Sequence, residues 1–525
     1  MAESTKLTLE QAVPSGMIIA YHAQERPDEY AVICDDHSLT FDQLNQRCNQ
    51  LAHFLREKGL RPGDAIAVLV SNRPEFIIAR YAAFRIGLRF TAVNWHLTPA
   101  EVAYIVDNCE AKAFVSEAQF SAAAVAGAQQ GQSHLLTCLS VDGGIPGFEP
   151  LYSAIENYPT SNIDNPELGD LMLYTSGTTG KPKGVFRRNR APAAASPLTS
   201  AGRYRAGDHR TLLTGPAYHA APLAFNIVTP LLNGVGVVMM EKWEPEQTLA
   251  LIEKHRITHT HMVATMFHRL LNLPKATRDK YDVSSLKFVL HGAAPCPVHV
   301  KHAMIDWFGP IIFEYYAATE GGGGFIIDSP TWLKKPGSVG KPATEGNTKV
   351  LDDDGNELPP NEKGTIYFEA PETGRFEYYK DQNKTDSAYR GNWFTLGDMG
   401  YFDEDGYLFL TGRDAETIIS GGVNIYPQEI DDAILKHPKV LDVCTIGVPN
   451  DEWGEEVKSV VQLQPELIAS DELKAEIMAF AKTELPGYKC PRSIDFTDDL
   501  PRMASGKIQR KKVREPYWAG RQKSI

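Results

Sequence analysis

The sequence predicts a mixed α/β protein with more than one domain. Its 525 residues exceed what one hydrophobic core usually organises, so at least two domains are expected. Apolar strand-like runs alternate with amphipathic helical segments in the first part of the chain, which is typical of parallel sheets covered by helices. Short strands with acidic turns follow in the middle, and a smaller α/β unit begins near Pro427.

Two capping boxes begin predicted N-terminal helices. Thr40-Phe-Asp-Gln43 and Thr98-Pro-Ala-Glu101 each precede a segment whose apolar residues recur on one helical face. A third helix is expected over residues 74–87. The apolar runs 65–70 and 112–116 suit buried parallel strands, so the N-terminal part is predicted to form helix-covered sheets.

Two acidic turns divide the middle of the chain. Residues 349–369 are predicted to form a hairpin around Asp353-Asp-Gly-Asn356, and a second turn is expected at Asp403-Glu-Asp-Gly406. Neither turn has the spaced ligands and terminal glutamate of an EF-hand, so calcium loops are not expected. The C-terminal unit is predicted to contain a helix over 427–437, strands over 440–448 and 458–463, and a helix over 471–483.

Charge and composition exclude several classes of protein. The formal net charge of −13 argues against a general nucleic-acid or membrane-surface binder, because both require a basic face. Neither a signal peptide nor a membrane-spanning run is evident, so stable membrane insertion is not expected. The seven cysteines lack C-x-x-C spacing, which indicates reduced thiols in a cytoplasmic protein rather than disulfides or a zinc site.

Four histidines lie close together in the sequence between residues 255 and 268. Because no acidic or thiol ligand is interleaved among them, they are expected to pack within strands and a helix rather than to bind a metal ion. These residues are His255, His259, His261 and His268.

The most informative stretch is Tyr174-Thr-Ser-Gly-Thr-Thr-Gly-Lys-Pro-Lys-Gly184. Glycines let a loop turn its backbone N–H groups toward an anion, while hydroxyls and lysines add donors and charge. The composition therefore suits a polyphosphate. It is not a Walker loop, because Lys181 is followed by Pro182 where that motif requires serine or threonine.

This stretch resembles the phosphate-binding motif of the adenylate-forming superfamily, which includes acyl-CoA synthetases, aryl-CoA ligases, firefly luciferases and adenylation domains. Three further stretches resemble motifs of the same superfamily in the same order, so the resemblance covers essentially the whole chain. It implies that the loop binds ATP through Thr175, Ser176, Gly177, Thr178, Thr179, Gly180 and Lys183.

The second motif is Tyr315-Tyr-Ala-Ala-Thr-Glu-Gly-Gly-Gly-Gly324, which resembles the superfamily's Tyr-Gly-x-Thr-Glu with Ala317 in place of the glycine. The resemblance implies that Tyr316 contacts adenine, that Thr319 binds the α-phosphate and that Glu320 holds Mg²⁺. A carboxylate suits a hard cation, and an aromatic ring suits a purine. Glu314, Tyr315 and Ala317 are expected in the same nucleotide site.

Two neighbouring features are expected to shape the adenine and acyl pockets. The stretch Leu290-His-Gly-Ala-Ala-Pro295 resembles the strand and turn that line both pockets in the superfamily, which implicates Gly292, Ala293 and Ala294. The run Gly321 to Gly324 is expected to leave space in the wall where bulky side chains could otherwise stand.

The third motif is followed by the segment that joins the two expected domains. Gly391-Asn-Trp-Phe-Thr-Leu-Gly-Asp398 resembles the segment that ends in the ribose-binding aspartate, and a carboxylate can accept both ribose hydroxyls. The stretch Gly412-Arg-Asp-Ala-Glu-Thr-Ile-Ile-Ser-Gly-Gly-Val-Asn-Ile-Tyr-Pro-Gln-Glu-Ile430 resembles the segment that joins the large and small domains, which implies that Arg413 binds ribose or phosphate. The hinge residue of the superfamily, usually Asp or Lys, is Ala415 in this chain, and Asp414 is a second candidate for the pivot.

The fourth motif, Pro501-Arg-Met-Ala-Ser-Gly-Lys-Ile-Gln-Arg510, resembles the segment whose lysine contacts the acyl carboxylate and the α-phosphate. That lysine is Lys507, and a mobile ammonium suits the charge that builds during adenylation. Pro216-Ala-Tyr-His219 resembles the segment between the acyl and thiol tunnels, which implicates His219. The implied catalytic residues are thus His219, Thr319, Glu320 and Lys507.

The resemblance implies a large N-terminal adenylation domain over residues 1–412, with α/β subdomains and a β-rich part, and a small mobile α+β domain over residues 413–525. It also implies the activity of an ATP- and Mg²⁺-dependent acyl-CoA synthetase. Such an enzyme converts a carboxylic acid to an acyl-adenylate, releases pyrophosphate, and lets CoA displace AMP. The small domain is expected to rotate, presenting Lys507 for adenylation and Ser420, Gly421 and Gly422 for thiolation.

The identity of the acid stays open. No charged partner for a polar acyl tail is evident, so a hydrophobic acid is expected: a medium- or long-chain fatty acid, an aromatic acid or a steroid side-chain acid. Three rival functions also stay open, namely a stand-alone ligase that loads a carrier protein, a luciferase-like oxygenase and a non-catalytic nucleotide-binding protein. The expected partners are the acid, ATP and CoA, without nucleic acid, and a homodimer is left open.

Overall fold

The apolar run 65–70, predicted as a buried strand, lies at the centre of an eight-stranded sheet, which is called the first sheet. A computed structural model describes residues 6–34, 37–175, 182–187, 200–421, 423–503 and 506–519, without the side chain of Asp414. Every residue of Ala65–Leu69 is buried, as expected for a parallel strand covered on both faces. The strand order is Phe376–Tyr378, Lys183–Arg187, Asp170–Thr175, Arg89–Ala92, Ala65–Leu69, Ala111–Glu117, Thr137–Val141 and Glu149–Pro150.

A second eight-stranded sheet is also mainly parallel. Its inner strands are parallel, and an antiparallel strand lies at each edge. The strand order is Gly323–Asp328, Ile312–Ala317, Phe288–His291, His259–Met262, Arg210–Leu213, Gly236–Met239, Tyr30–Ile33 and Leu39–Thr40.

A third, antiparallel sheet forms the β-rich part, and a fourth sheet forms the centre of the C-terminal unit, which is the part of the chain after Arg413. The third sheet contains Ser338–Gly340, Leu408–Arg413, Trp393–Phe402, Gly364–Glu369 and Thr348–Leu351, with Tyr389–Arg390 paired to Trp393–Phe402. The fourth contains Val423–Ile425, Ile418–Ser420, Gly454–Leu463 and Val440–Asn450, with Ser493–Thr497 parallel to Gly454–Leu463.

Helices cover the sheets. The α-helices are Leu9–Ala12, Ile18–Glu25, Phe41–Glu57, Pro74–Arg85, Pro99–Asn108, Ser121–Gln130, Leu151–Ile155, Ala220–Pro222, Thr229–Leu232, Pro245–His255, Ala264–Leu271, Lys275–Arg278, Val298–Phe308, Ser329–Trp332, Gln382–Ala388, Pro427–Ile434, Asp471–Glu484 and Arg510–Arg514. A π-helix, Leu223–Val228, and three 3₁₀ turns, Ala118–Phe120, Asp414–Glu416 and Glu515–Trp518, complete the helical elements of the described ranges.

Local sequence signals predicted these elements well. Both capping boxes are confirmed, because the hydroxyls of Thr40 and Thr98 each accept a hydrogen bond from the third helical N–H. The predicted hairpin pairs Thr348–Leu351 with Gly364–Glu369, although its connection is longer than the turn at 353–356. The helix expected over 427–437 ends at Ile434; residues 435–437 form turns, and Pro438 disfavours helical dihedral angles at His437 only.

The core is divided among the sheets. One large cluster of buried apolar residues joins the first sheet to the helices Phe41–Glu57 and Pro74–Arg85, and others lie beneath the second, third and fourth sheets. The helix Phe41–Glu57 buries one face on these clusters, whereas Pro74–Arg85 is buried nearly all round. Within the described ranges no helix combines the length and apolar composition needed to cross a membrane.

Candidate active site

The carboxyl ends of the two large sheets meet at one buried side chain, Asn72. Its Nδ2 donates to the carbonyl oxygens of Gly215 at 3.0 Å and Met240 at 2.9 Å, and its Oδ1 accepts from the N–H of Ala217 at 2.8 Å. Asn72 follows a strand of the first sheet, whereas its partners follow strands of the second. Loops at such strand ends are the usual place for ligands in α/β proteins.

A cavity of about 2710 Å³ extends from this junction to the third sheet and the C-terminal unit. It is larger than a typical single-ligand pocket of roughly 300–1,000 Å³. Predicted site residues from every part of the chain line it: Thr175, Lys183, His219, Ala293, Ala294, Glu314, Tyr315, Tyr316, Ala317, Thr319, Glu320, Asp398, Arg413 and Lys507. Gly292, Ser420 and Gly421 do not belong to its lining.

The glycine- and hydroxyl-rich loop connects two antiparallel strands. Thr175 ends Asp170–Thr175, Lys183 begins Lys183–Arg187, and the two residues are paired across the hairpin. A Walker loop instead leads from a strand into a helix, so the structure agrees with the exclusion of that motif. Ser176, Gly177, Thr178, Thr179 and Gly180 lie outside the described residues.

Positive charge lines the cavity beside this loop. Burial, and then the neighbouring Lys384 ammonium, lower the pKa of Lys183 to about 8. Arg187, two positions beyond Val185 on the same face of the strand, also lines the cavity. Lys183 and Arg187 thus place two cationic side chains on the cavity wall beside the loop, so the donor set fits a polyphosphate. The sequence pattern could have indicated Arg187 through its period of two.

Tyr316, Asp398 and Arg413 form one hydrogen-bonded group. The hydroxyl of Tyr316 donates to Oδ2 of Asp398 at 2.7 Å, and Nε of Arg413 lies 2.9 Å from Oδ1. Burial and the Asp398 carboxylate hold the pKa of Tyr316 well above its ordinary value. Each carboxylate oxygen has further lone pairs, so ribose hydroxyls can still be accepted. The ring of Tyr316 packs near Phe325 and Phe368.

Glu320 is positioned by contacts at both its ends. The hydroxyl of Tyr378 donates to Oε1 of Glu320 at 3.2 Å, and Arg187 donates to its backbone carbonyl. Within the described ranges, no cluster of three or more His, Cys, Asp or Glu side chains could cage a metal ion. A single carboxylate fits Mg²⁺, which usually keeps several waters and is held largely by substrate phosphates.

Glycines occupy positions 321–324 for a different physical reason than the one expected. All four glycines have positive φ, between 72° and 94°. The prediction of open wall space is wrong at three positions, because a Cβ would contact Arg187 at Gly321, Phe368 at Gly322 and the Tyr316 carbonyl at Gly323. Only at Gly324 would it meet nothing within 4 Å. The run therefore allows a left-handed backbone to pack closely against its neighbours.

Gly292 and Ala293 adopt special positions after the strand Phe288–His291. A Cβ at Gly292 would lie 2.6 Å from the carbonyl oxygen of Tyr315, so only glycine fits there. The hydroxyl of Tyr315 is 3.1 Å from Nε2 of His261. Ala293 has a φ of 66°, in the left-handed region that costs an L-residue roughly 1–2 kcal/mol.

Replacing Ala293 with glycine is expected to stabilise the protein by about 0.5–1 kcal/mol, because glycine relieves the left-handed strain but adds entropy to the unfolded chain. Thermal or denaturant unfolding of Ala293→Gly measures the gain. Ala294→Gly is the matched control, since Ala294 does not have positive φ and should only lose stability. Equal losses in the two variants would contradict strain at Ala293.

Glu314 is held beneath the cavity by a buried cation. Lys301, fully buried, donates to Oε2 of Glu314, and Nε2 of His291 lies 3.6 Å from the same oxygen. Lys301 also lies 4.5 Å from the ring centre of Trp332. Glu314 thus both lines the cavity and anchors the strand that carries Tyr316.

His219 enters the cavity as a neutral imidazole. Burial, and then the nearby His96, lower its pKa to about 4, so the ring is uncharged at pH 7. Its Nε2 has no hydrogen-bond partner in the part of the chain that the structure describes. The residue precedes the helical segment 220–232, whose side chains continue along the cavity wall.

Lys507 reaches the cavity from the C-terminal unit. Burial lowers its pKa, Arg413 lowers it further, and Glu416 and Asp398 raise it. No carboxylate of the described residues lies within ion-pair distance of its Nζ. The turn that carries Lys507 packs closely on the N-terminal part, because a Cβ at Gly506 would lie 2.5 Å from Oγ1 of Thr265.

Ala415, expected at the hinge, and Ser420 and Gly421, expected on the thiolation face, do not line the cavity. Ser420 ends the strand Ile418–Ser420, and a Cβ at Gly421 would lie 3.0 Å from the ring of Trp453, outside the cavity lining. Gly422 lies outside the described residues. Ala415 is exposed in the 3₁₀ turn Asp414–Glu416, immediately after the strand that ends at Arg413.

The histidine segment contains a contact between domains that the sequence did not indicate. Nε2 of His268 is 2.9 Å from the carbonyl oxygen of Leu441 in the C-terminal unit. His259 bonds the carbonyl oxygen of Gly202 at 2.6 Å, which accords with the expected packing role. Only the tertiary arrangement brings His268 and Leu441 together, because 173 residues separate them.

Two family models match the chain. Residues 19–378 match the AMP-binding enzyme family, and residues 429–507 match the AMP-binding enzyme C-terminal domain. The chain therefore belongs to the AMP-binding enzyme family. The predicted membership of the adenylate-forming superfamily and the predicted fold class are confirmed, and so is the class of acid–thiol ligase at the level of the family.

Curated relatives align over nearly their whole length. The 2-succinylbenzoate–CoA ligase of Bacillus licheniformis is 32% identical over 94% of this chain and 98% of that protein. The feruloyl-CoA synthase of an Amycolatopsis species is 32% identical over 94% and 97%. The long-chain-fatty-acid–CoA ligase of Bacillus subtilis is 28% identical over 95% and 93%.

Solved structures share the same architecture. The anthranilate CoA ligase AuaEII in complex with anthranoyl-AMP superposes with a TM-score of 0.83 at 25% identity, covering 96% of this chain and 97% of that one. The o-succinylbenzoate CoA synthetase of Bacillus subtilis, in complex with ATP and a magnesium ion, has a TM-score of 0.77 at 25% identity, with coverages of 94% and 98%.

Proposed function

We propose that the protein is an AMP-forming acyl-CoA synthetase that activates a carboxylic acid with a largely apolar body. The observation that carries this proposal is the convergence of Lys507 with the Tyr316–Asp398–Arg413 group and His219 on one cavity. Relatives that act on 2-succinylbenzoate, ferulate and long-chain fatty acids support the reaction class and leave the acid open.

Tyr316 and Asp398 are proposed to hold the adenosine of ATP, with adenine beside the Tyr316 ring and the ribose hydroxyls donating to Asp398. Thr319, Lys183 and Arg187 would bind the phosphates through hydrogen bonds and charge. Glu320 would hold Mg²⁺, which would supply positive charge to offset the charge of the phosphates. Glu314, Tyr315, Ala317, Ala293 and Ala294 would complete the wall of this pocket.

Lys507 is proposed to hold two anions together. Its ammonium would contact the acid carboxylate and the α-phosphate while a carboxylate oxygen bonds to the α-phosphorus and pyrophosphate leaves. In the second step the CoA sulfur would bond to the acyl carbon, the bond to AMP would break, and the thiol proton would pass to solvent. Neutral His219 would let the acyl group pass without introducing charge.

The C-terminal domain, residues 413–525, is proposed to rotate between these steps about the turn that contains Asp414 and Ala415. The described orientation places Lys507 in the cavity and Ser420 and Gly421 away from it, which suits the adenylation step.

The seven cysteines form no disulfide, which supports the proposed cytoplasmic location.

Product analysis tests the proposed function. The protein is incubated with ATP, Mg²⁺ and a panel of fatty, aromatic and steroid side-chain acids, with and without CoA. Acid-dependent release of AMP and pyrophosphate, with acyl-CoA formed only when CoA is present, is the expected result. Acyl-adenylate that reacts with a carrier protein but not with CoA would favour a carrier-loading ligase, and no acid-dependent AMP would overturn the proposal.

Gly506 provides a test of the orientation. A side chain there would be strained by the φ of 79° and would collide with Thr265, so Gly506→Ala should slow adenylation about 10-fold. Conversion of supplied acyl-adenylate to acyl-CoA should change less, because in the proposed thiolation orientation Lys507 and Gly506 would have left the cavity. Both half-reactions are measured on one preparation.

Two variants accompany Gly506→Ala. Gly487→Ala is the matched control in the same domain, since a Cβ at Gly487 meets nothing within 4 Å and its φ is not positive. Thr265→Ala, combined with Gly506→Ala, should restore part of the adenylation rate by removing Oγ1. Equal slowing of the two half-reactions would contradict the proposed contact.

A further inference from the structure

A buried arginine lines the same cavity away from the nucleotide residues. Arg80 lies on the helix Pro74–Arg85 of the first sheet and is 5% exposed. Among the described residues, no carboxylate forms an ion pair with its guanidinium and no group accepts a hydrogen bond from it, and its Nε is fully enclosed. The residue nevertheless contributes to the cavity wall.

Aromatic rings support Arg80 without using its hydrogen atoms. Its guanidinium carbon lies 4.1 Å from the ring centre of Phe84 and 4.6 Å from that of Tyr81. Contacts with ring faces leave the planar N–H fork available, and this fork matches a carboxylate in two parallel hydrogen bonds. An unpaired buried cation is costly to keep, so its position in a cavity indicates an anionic ligand.

The burial of Arg80 is reflected in its titration. Burial lowers the pKa of the guanidinium, and the neighbouring Tyr81 raises it again. By contrast, Arg85 on the same helix donates to Oδ1 of Asn45 at 3.1 Å, to Asn49 and to the carbonyl oxygen of Tyr81 at 3.2 Å. The helix therefore carries one buried arginine with protein partners and, among the described residues, one without.

The cavity wall connects His219 with Arg80. The helical segment 220–232 follows His219 and lines the cavity with Leu223, Val228 and Leu232. These three residues belong to the apolar cluster that also contains Tyr81 and Phe84. The nucleotide residue Tyr316 packs instead against the cluster of the third sheet. The aromatic rings that flank Arg80 thus belong to the same apolar cluster as the wall segment after His219, and not to the cluster of Tyr316.

We propose that Arg80 binds a second carboxylate at the far end of the acid substrate, an inference that rests on the proposed function. The preferred substrate would be a dicarboxylic acid with an apolar middle, with one carboxylate at Lys507 and the other at Arg80. This revises the expectation that no charged partner exists for a polar acyl tail. The sequence did not indicate a role for Arg80, because the residue lies within a mostly apolar helical segment.

The test compares sets of acids of equal length that differ only at the far end. Each set contains a monocarboxylic acid, the corresponding dicarboxylic acid and its terminal monomethyl ester, over a series of straight chains and para-substituted aromatic acids. Acid-dependent AMP release gives kcat/KM for each compound. The wild-type protein is expected to prefer the dicarboxylic acid at one optimal length and to treat the ester like the monocarboxylic acid.

Arg80→Met should lower kcat/KM for the preferred dicarboxylic acid about 10- to 100-fold while leaving that for the monocarboxylic acid unchanged or higher. Arg80→Lys keeps the charge but not the planar N–H fork, so its kcat/KM for the dicarboxylic acid should lie between those of the wild-type protein and Arg80→Met. Arg85→Met is the matched control, because it should reduce thermal stability without changing the preference between the acids. Arg80→Lys also keeps the test informative should Arg80→Met fold poorly.

The outcomes separate the two proposals. If wild type activates monocarboxylic acids but shows no preference for dicarboxylic acids, or if Arg80→Met and Arg80→Lys affect both acids equally, Arg80 is a hydrated wall residue and this inference is overturned while the proposed function stands. If no acid of the series supports AMP release, the proposed function fails and the inference fails with it.

Discussion

Lys507→Ala is expected to slow adenylation by about 10²–10³-fold, or roughly 3–4 kcal/mol, because it removes the one charge proposed to hold the carboxylate and the α-phosphate together. Conversion of supplied acyl-adenylate to acyl-CoA should stay near the wild-type rate, since the proposed thiolation orientation would present Ser420 and Gly421 instead. Pyrophosphate exchange measures the first step, and acyl-CoA formation from chemically prepared acyl-adenylate measures the second.

The control for this variant is Lys482→Ala. Lys482 is exposed on the helix Asp471–Glu484 of the same domain and does not line the cavity, so both half-reactions should be unchanged. If consumption of acyl-adenylate by Lys507→Ala falls as far as adenylation does, Lys507 is structural or serves both steps. The two-orientation mechanism would then fail for this protein.

Glu320→Gln is expected to reduce adenylation about 10²-fold, because a neutral amide binds a hard cation far more weakly than a carboxylate does. The variant should also require more Mg²⁺ for half-maximal pyrophosphate exchange, which a purely structural role would not cause. The substitution keeps the shape of the side chain, and the amide oxygen can still accept from the hydroxyl of Tyr378.

Two variants sharpen this test. Glu372→Gln changes an exposed carboxylate shortly before the strand that contains Tyr378, and it should leave the Mg²⁺ requirement unaltered. Tyr378→Phe removes only the hydrogen bond to Oε1 and should cost a few-fold in rate. A Glu320→Gln variant with a normal exchange rate at limiting Mg²⁺ would remove Glu320 from the proposed metal site.

Much of the fold could be predicted because its signals are local. A threonine three residues before a glutamine or glutamate determined where two helices begin, and continuous apolar runs indicated which strands are buried. The predicted end of the helix Pro427–Ile434 lies three residues beyond the observed one, because residue periodicity does not distinguish a last helical turn from the turns formed by residues 435–437. The site residues could be collected from motifs, since each motif is contiguous in sequence.

Contacts between distant residues could not be predicted in this way. Tyr316 and Asp398 are 82 residues apart, and no spacing rule indicates that a hydroxyl and a carboxylate so separated will be 2.7 Å from one another. The glycine run illustrates the same limit. Its composition indicated small side chains, but only the packed structure reveals that Arg187, Phe368 and a backbone carbonyl occupy the space a Cβ would need.

The sequence by itself determined the family, several helices and strands of the first and last parts of the chain and the chemical types of the site residues, because these depend on local propensity and contiguous motifs. The tertiary structure alone decided the strain at Ala293, the close approach of Gly506 to Thr265 and the isolation of Arg80 from any carboxylate of the described residues. The reason is physical: strain, collision and unpaired charge are properties of the surroundings of a residue, and packing brings those surroundings from remote parts of the chain.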